Sequence, residues 1–171
     1  KAWAPNLNYS GLNQLKGNVT AELVMNEVIK LRSAKLPDPA ILPNAGSFFK
    51  NPIVAKDCFE LLAKSYPNLP NYPQKDGTVK LAAGWLIEQA GLKGFRYKDV
   101  GVHTKQALVL VNYNKGHGQD VVDLAKYIQQ RVLQMFAITI VPEVRMVSSN
   151  GEKSFTDLKA VNIPDGNDNA E

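Results

Sequence analysis

The chain is expected to fold as an α+β domain, a two-layer structure with helices packed on a small, mostly antiparallel sheet. Three observations lead there. Helical and strand-like segments are mixed without the strict β-α-β alternation of a three-layer doubly wound fold. The stretch "GQDVVDLAKYIQQRVLQMFA" carries a helical apolar stripe, while Ala107 to Val111 is a short continuous apolar run of strand type. An Asn150-Gly151 pair near the end is a two-residue hairpin signal.

Residues Lys1 to Gly17 are turn-rich and mixed, like the end of something that began earlier, and the sequence starts at Lys1 without a Met. A processed product, an engineered product or a piece of a longer chain is expected. Thr20 then reads as an N-cap with Glu22 in the first turn, and Val24, Val28 and Leu31, with Met25 and Ile29, supply an apolar helical face. "KLPDPAILP" stops that helix with three prolines, making an extended connector and a candidate domain boundary.

"VAKDCFELLAKSYP" predicts a second helix with Val54, Cys58, Leu61 and Leu62 inward, stopped at Pro67. Cys58 is expected as a small core residue. "NLPNYPQKDG" is a loop presenting Tyr72. "TVKLAAGWLIEQAG" predicts a third helix, capped by Thr78, packed through Leu81, Ala82, Trp85 and Leu86, and ended by Gly91. After the buried strand and the long helix, whose inward residues are Val121, Leu124, Ala125, Ile128, Val132 and Phe136, "AITIVPEVRMV" predicts a strand interrupted at Pro142, at an edge or a bulge. The hairpin is expected between Arg145–Val147 and Lys153–Phe155, with a frayed polar tail "IPDGNDNAE".

Composition narrows the function classes. The chain has 171 residues, 44% of them hydrophobic, enough for one domain or one domain plus part of another. Its net charge of +4 suits an anionic small ligand as well as it suits nucleic acid. Lys93, Arg96, Lys98 and Lys105 are too diluted by Gly, Phe and Tyr to form a nucleic-acid arm. A single cysteine rules out an internal disulfide and points to a reducing compartment. No apolar run reaches the ~18 residues of a membrane helix, and the start lacks a signal-peptide pattern. A soluble, cytoplasmic protein with no membrane or nucleic-acid partner is expected.

Motifs exclude more than they assign. His103 and His117 have no Cys or carboxylate at ligand spacing, so no metal site is expected and both read as surface or satisfied loop residues. There is no G-x-S-x-G elbow, phosphate loop or dinucleotide glycine pattern. What remains is a set of polar residues in constrained settings. Ser47 follows Gly46, Asn51 precedes Pro52, Lys35 ends a helix, Tyr72 lies between Asn71 and Pro73, Gln106 opens a buried strand, and Glu143 follows Pro142. Taken singly, each has a stronger structural explanation. Ser47 suits a turn hydroxyl, Lys35 a charge at a helix C-terminus, and Glu143 an ion-pair partner of Arg145.

Taken together they read differently. "NAGSFFKNP", with "KLPDP" before it, "NYPQKDGTVKLAAGWLIEQAGLKG" after it and "PEVR" near the end, resembles the UDP-N-acetylenolpyruvoylglucosamine reductases from about Trp3 to Arg145. The resemblance implies a C-terminal portion with three parts. Residues 1–36 would be a remnant of an FAD-binding domain (its last strand and helix), 37–148 the substrate-binding domain, and 149–171 a hairpin and polar tail. It implies a reductase of peptidoglycan synthesis that uses FAD, with NADPH as reductant, to turn UDP-N-acetylglucosamine enolpyruvate into UDP-N-acetylmuramate. Most of the flavin site, and an arginine that works beside the flavin, would lie outside this chain, leaving it inactive alone.

The same resemblance implies roles. Ser47 would donate a proton to the enol intermediate, with the Gly46 turn and Phe48/Phe49 fixing it and excluding water. Glu143 would stabilise that intermediate; the family's usual second Glu is Val141 here. Lys35, Asn51, Tyr72, Lys80 and Gln106 would bind diphosphate and uridine, with Tyr72 as a lid and Lys80 in the first turn of a helix. The alternative is a non-catalytic nucleotide- or anion-binding module with the same fold.

Overall fold

The computed structural model describes residues 3–8 and 11–164. A short 3-10 turn (Leu12–Gln14) precedes α1 (Ala21–Lys35), β1 (Asn44–Ser47), β2 (Ile53–Val54), α2 (Lys56–Ser65), β3 (Asn71–Pro73) and β4 (Val79–Leu81). Then come α3 (Ala83–Gln89), β5 (Arg96–Tyr97), β6 (Val100–Val102), β7 (Val109–Asn112), α4 (Gly118–Phe136), β8 (Met146–Ser148) and β9 (Gly151–Lys153). A second 3-10 turn spans Phe155–Asp157. One sheet has the order β1-β7-β6-β5, a second β2-β4-β3, and β8-β9 is a ribbon. Each pairing is antiparallel. The α+β expectation is therefore met.

Local rules account for several elements. Thr20 Oγ1 accepts the Leu23 N–H at 3.2 Å, so α1 starts where its cap predicts. Gly91, at φ +75°, ends α3. The Gly91 and Leu92 amides return to the carbonyls of Glu88 and Ile87, closing a Schellman motif. The predicted long helix is α4, and Leu124, Ile128 and Val132 are fully buried on it. They meet Leu86 and Ile87 of α3 and the central valines Val100 and Val102 of the sheet, forming one continuous core.

α1 is the exception. None of its residues is buried, and Met25 and Ile29 are more than half exposed. Its near neighbour is the first 3-10 turn, where Leu31 lies against Gly11. The described residues ahead of α1 contain no strand, so the expected last strand is absent there.

Other expectations are corrected. The third helix is shorter than predicted, because Val79–Leu81 forms a strand between β2 and β3. Thr78 does not cap it; its hydroxyl donates to Asp76. On α2 the inward residues are Phe59, Leu62 and the following Tyr66, while Cys58 and Leu61 are exposed. Adjacent Leu61 and Leu62 make either helical face plausible in isolation, and Tyr66, packed edge-on to Trp85 and Phe136, settles the choice. The buried strand starts at Val109 rather than Ala107. In the hairpin, Ser148 pairs with Gly151, so Ser149 and Asn150 form the turn and Gly151, at φ +100°, opens β9. Of the tail, Ile163 packs against the core, and residues 165–171 lie outside the described residues.

His103 is neither a surface nor a satisfied loop residue. It is buried, and among the described residues its Nδ1 has no hydrogen-bond partner. Burial, with nearby Lys105, lowers its pKa below 6.5. The unfolded chain therefore takes up this proton first as pH falls. Stability from keeping His103 neutral is full above 6.5 and is lost on acidification towards its depressed folded value. Melting temperatures measured from pH 8 to 5 should fall more steeply for the native chain than for His103→Phe. Parallel curves would contradict this.

Candidate functional site

The site is built on the end of β1. Asn44 Oδ1 accepts the Gly46 N–H at 2.9 Å and Asn44 Nδ2 donates to the Leu42 carbonyl at 2.8 Å. This tightens the chain into a turn. Along the ladder Asn44 faces Val111 but Ser47 faces Val109, so β1 carries an extra residue, a bulge. Gly46 absorbs it at φ +75°. A bulge bends its strand and re-aims the next side chain, which here is Ser47. A Cβ at residue 46 would meet nothing within 4 Å, so only the backbone conformation demands glycine. Gly46→Ala should cost about 1–2 kcal/mol, lowering Tm by about 2–8 °C in a thermal melt. An unchanged Tm would show that the bulge tolerates an ordinary residue.

Phe48 and Phe49 anchor the chain just after the bulge. Both are buried, with ring centroids 5.0 Å apart in an edge-on contact. The backbone beside them pairs with the segment around Pro142. Lys50 N donates to the Val141 carbonyl at 2.9 Å, Glu143 N donates to the Phe48 carbonyl at 2.8 Å, and Phe49 bridges Pro142. Pro142 occupies the one position of this short ladder that needs no N–H. The strand expected here is not formed: Pro142 makes one isolated bridge, and that bridge sets Glu143 beside Ser47.

Two openings meet at Ser47. A cavity of about 240 Å³ is lined by Leu31, Arg32, Lys35, Leu36, Gly46, Ser47 and Gln106. An open cleft on the other side is lined by Ala45, Ser47, Glu143, Val144 and Arg145. A wider cavity of about 570 Å³, sharing Arg32, Leu36 and Gly46, continues along the connector. Three of the predicted residues, Lys35, Gln106 and Glu143, thereby share an opening with the fourth, Ser47. The Gln106 Oε1 accepts the Leu108 N–H at 3.3 Å, which fixes the carboxamide against its own loop.

The other three are placed apart. Asn51 Oδ1 accepts the Ala83 N–H at 2.9 Å, capping α3 where Ala82 has no side chain to do so. Among the described residues its Nδ2 has no acceptor. Lys80 lies on β4 and not in a helix, and its cross-strand partners are Ile53 and Tyr72. Val79 and Leu81 point into the core, so Lys80 projects from the opposite face beside exposed Tyr72. Neither residue lines the openings at Ser47.

Two expectations about chemistry change. Ser47 is exposed, and Phe48 and Phe49 point into the core rather than over it. They fix the backbone and do not exclude water. Arg145 pairs with Glu152, not with Glu143, and this contact raises the Arg145 pKa and lowers that of Glu152. Sequence reasoning missed Arg32, one turn before Lys35 on the same helical face, and the place of Arg145 in the cleft. The i, i+3 spacing and the two-residue step from Glu143 were the available signals.

Comparison with known proteins adds to this geometry. Residues 38–147 match the family model described as UDP-N-acetylenolpyruvoylglucosamine reductase, C-terminal domain. A protein of Pasteurella multocida with the name UDP-N-acetylenolpyruvoylglucosamine reductase is 50% identical over 153 residues, covering 89% of this chain and 45% of the relative. One of Yersinia pestis with the same name is 50% identical over the same share of this chain and 44% of its own length. One of Escherichia coli K12 is 47% identical over 155 residues, 90% of this chain and 45% of the relative. The chain spans less than half the length of these curated relatives.

Proposed function

The chain belongs to the UDP-N-acetylenolpyruvoylglucosamine reductase family, and from that premise we propose that it forms the substrate-binding part of an FAD- and NADPH-dependent reductase. Its substrate would be UDP-N-acetylglucosamine enolpyruvate and its product UDP-N-acetylmuramate, in peptidoglycan synthesis. The supporting observation is that Lys35, Gln106 and Glu143 each share an opening with the re-aimed Ser47.

The cavities at Ser47 are lined without an aromatic ring to stack on a flavin and without a run of glycine amides to cradle its diphosphate. These residues do not make a flavin site. The cofactor would belong with the length of the relatives that this chain does not span, in keeping with a domain division after residue 36. Alone, the chain binds and does not turn over.

The work of the chain's own residues is then defined. Reduction at the enolpyruvyl C3 leaves negative charge at C2 and its carboxylate. Ser47 Oγ–H donates a proton to C2, forming the C–H bond and leaving the oxygen to be reprotonated. A hydroxyl is a weak acid, so it needs a strongly basic acceptor held at hydrogen-bond distance, and the bulge at Gly46 provides that fixed aim. Glu143, across the cleft, stabilises the developing enol intermediate. Because Ser47 is open to solvent in this chain, closure falls to the bound substrate and the missing length. Lys35 and Gln106 bind the diphosphate and nucleoside from the cavity side. Asn51 adds its free amide protons, and Lys80 with Tyr72 forms an outer contact over the ligand.

Binding can be tested on this chain directly. At 100 times its Kd, UDP should stabilise the fold by about 2.7 kcal/mol, raising Tm by roughly 5–10 °C. Lys35→Glu should remove most of that rise. No shift with UDP or with the UDP-sugar would defeat the reading.

A further inference from the structure

The second opening at Ser47 contains a cation with a dedicated holder. Arg145 Nε donates to Glu152 Oε1 at 3.1 Å, and Nη2 donates to Oε2 at 2.5 Å. Glu152 sits on β9, across the ribbon from Val147, and reaches Arg145 just ahead of β8. A guanidinium carries five N–H donors arranged on two usable edges. Glu152 takes the Nε/Nη2 edge. Among the described residues no partner takes the Nη1 protons or the second Nη2 proton, and one proton of each nitrogen forms the other edge.

Arg145 lines the cleft with Ser47 and Glu143, whereas Glu152 lines only the groove behind it. The carboxylate therefore grips the arginine from outside the site. Residues alternate along this segment, so Glu143 and Arg145 face outward while Val144 packs on the core. An arginine this exposed, with 75% of its side-chain surface in solvent, would otherwise sample many rotamers.

The geometry points to Glu152 as a positioning residue that holds the free edge of Arg145 ready for a ligand carboxylate. This rests on the proposed function, in which C2 of the enolpyruvyl group meets Ser47. The carboxylate is bonded to that carbon and must fall within the same cleft. The diphosphate is separated from it by the sugar ring and falls to Lys35 and Arg32 on the cavity side. A planar two-oxygen anion matches a two-donor edge.

The test uses this chain with 2-methoxyacrylate, the enol-ether carboxylate alone, followed through the Arg145 Nε–Hε resonance. We expect a saturable shift with 2-methoxyacrylate and none with its uncharged methyl ester. Glu152→Gln should weaken the response about fivefold, and Glu152→Asp should restore much of it. A hairpin staple alone would lower Tm in Glu152→Gln and leave the titration unchanged, which would overturn the assignment. A stronger response to inorganic phosphate, or no response of Arg145 to either anion, would also overturn it. UDP-induced stabilisation measured in parallel keeps the two readings apart. If UDP stabilises the chain but Arg145 stays silent, only the carboxylate role falls.

Discussion

Ser47→Ala should abolish reduction of the enolpyruvyl sugar while leaving oxidation of NADPH by the flavin intact. The variant is best made in a chimera in which this chain replaces the matching 45% of the Pasteurella multocida relative. Loss of a positioned general acid costs about 10²–10⁴ in rate, and sugar turnover should fall by at least that much. Flavin reduction, followed by its absorbance in a rapid mix with NADPH, does not involve this hydroxyl and should keep its rate. The split between the two half-reactions carries the argument, because a misfolded variant would lose both. If sugar reduction persists near the parent rate, Ser47 is not the proton donor, whatever its neighbours.

Phe49→Ala should be among the most damaging single truncations in the chain. Phe49 is 1% exposed, packs edge-on against Phe48, and its backbone bridges Pro142. Emptying a buried phenylalanine site costs about 3–5 kcal/mol, or roughly 6–20 °C in Tm for a chain of this size. The damage should reach the site, since this ladder is what sets Glu143 beside Ser47. Phe49→Leu, which keeps most of the volume, should recover much of the stability. Denaturant unfolding of the three proteins checks this, and an alanine variant within about 1 kcal/mol of the parent would show that the bridge is held by something else.

How much of this was legible beforehand depended on how local each cause is. The Thr20 cap, the α4 stripe and the Gly91 stop arise from residues a few positions apart, and each element ended where those rules place it. The string "NAGSFFKNP" carried the resemblance that led to Ser47, whereas the strand expected across Pro142 is reduced to the one bridge that Pro142 itself makes. Where two local answers were comparable, sequence reasoning chose wrongly. "TVKLAAGWLIEQAG" has a continuous helical pattern, yet Val79–Leu81 is drawn into the sheet between β2 and β3. The start of α3 is then set by Asn51, 32 positions earlier, capping Ala83.

By itself, then, the amino-acid order determined the α+β class, the principal helices and the family, because these rest on short-range periodicity, caps and a long distinctive string. Only the tertiary structure decided which face of α2 is buried, that Lys80 stands on a strand, and that Arg145 is gripped by Glu152. It alone decided that Ser47 meets Lys35 and Gln106 on one side and Glu143 on the other. The physical reason is distance along the chain. These outcomes depend on which remote segments pack together, and local pattern carries no term for that.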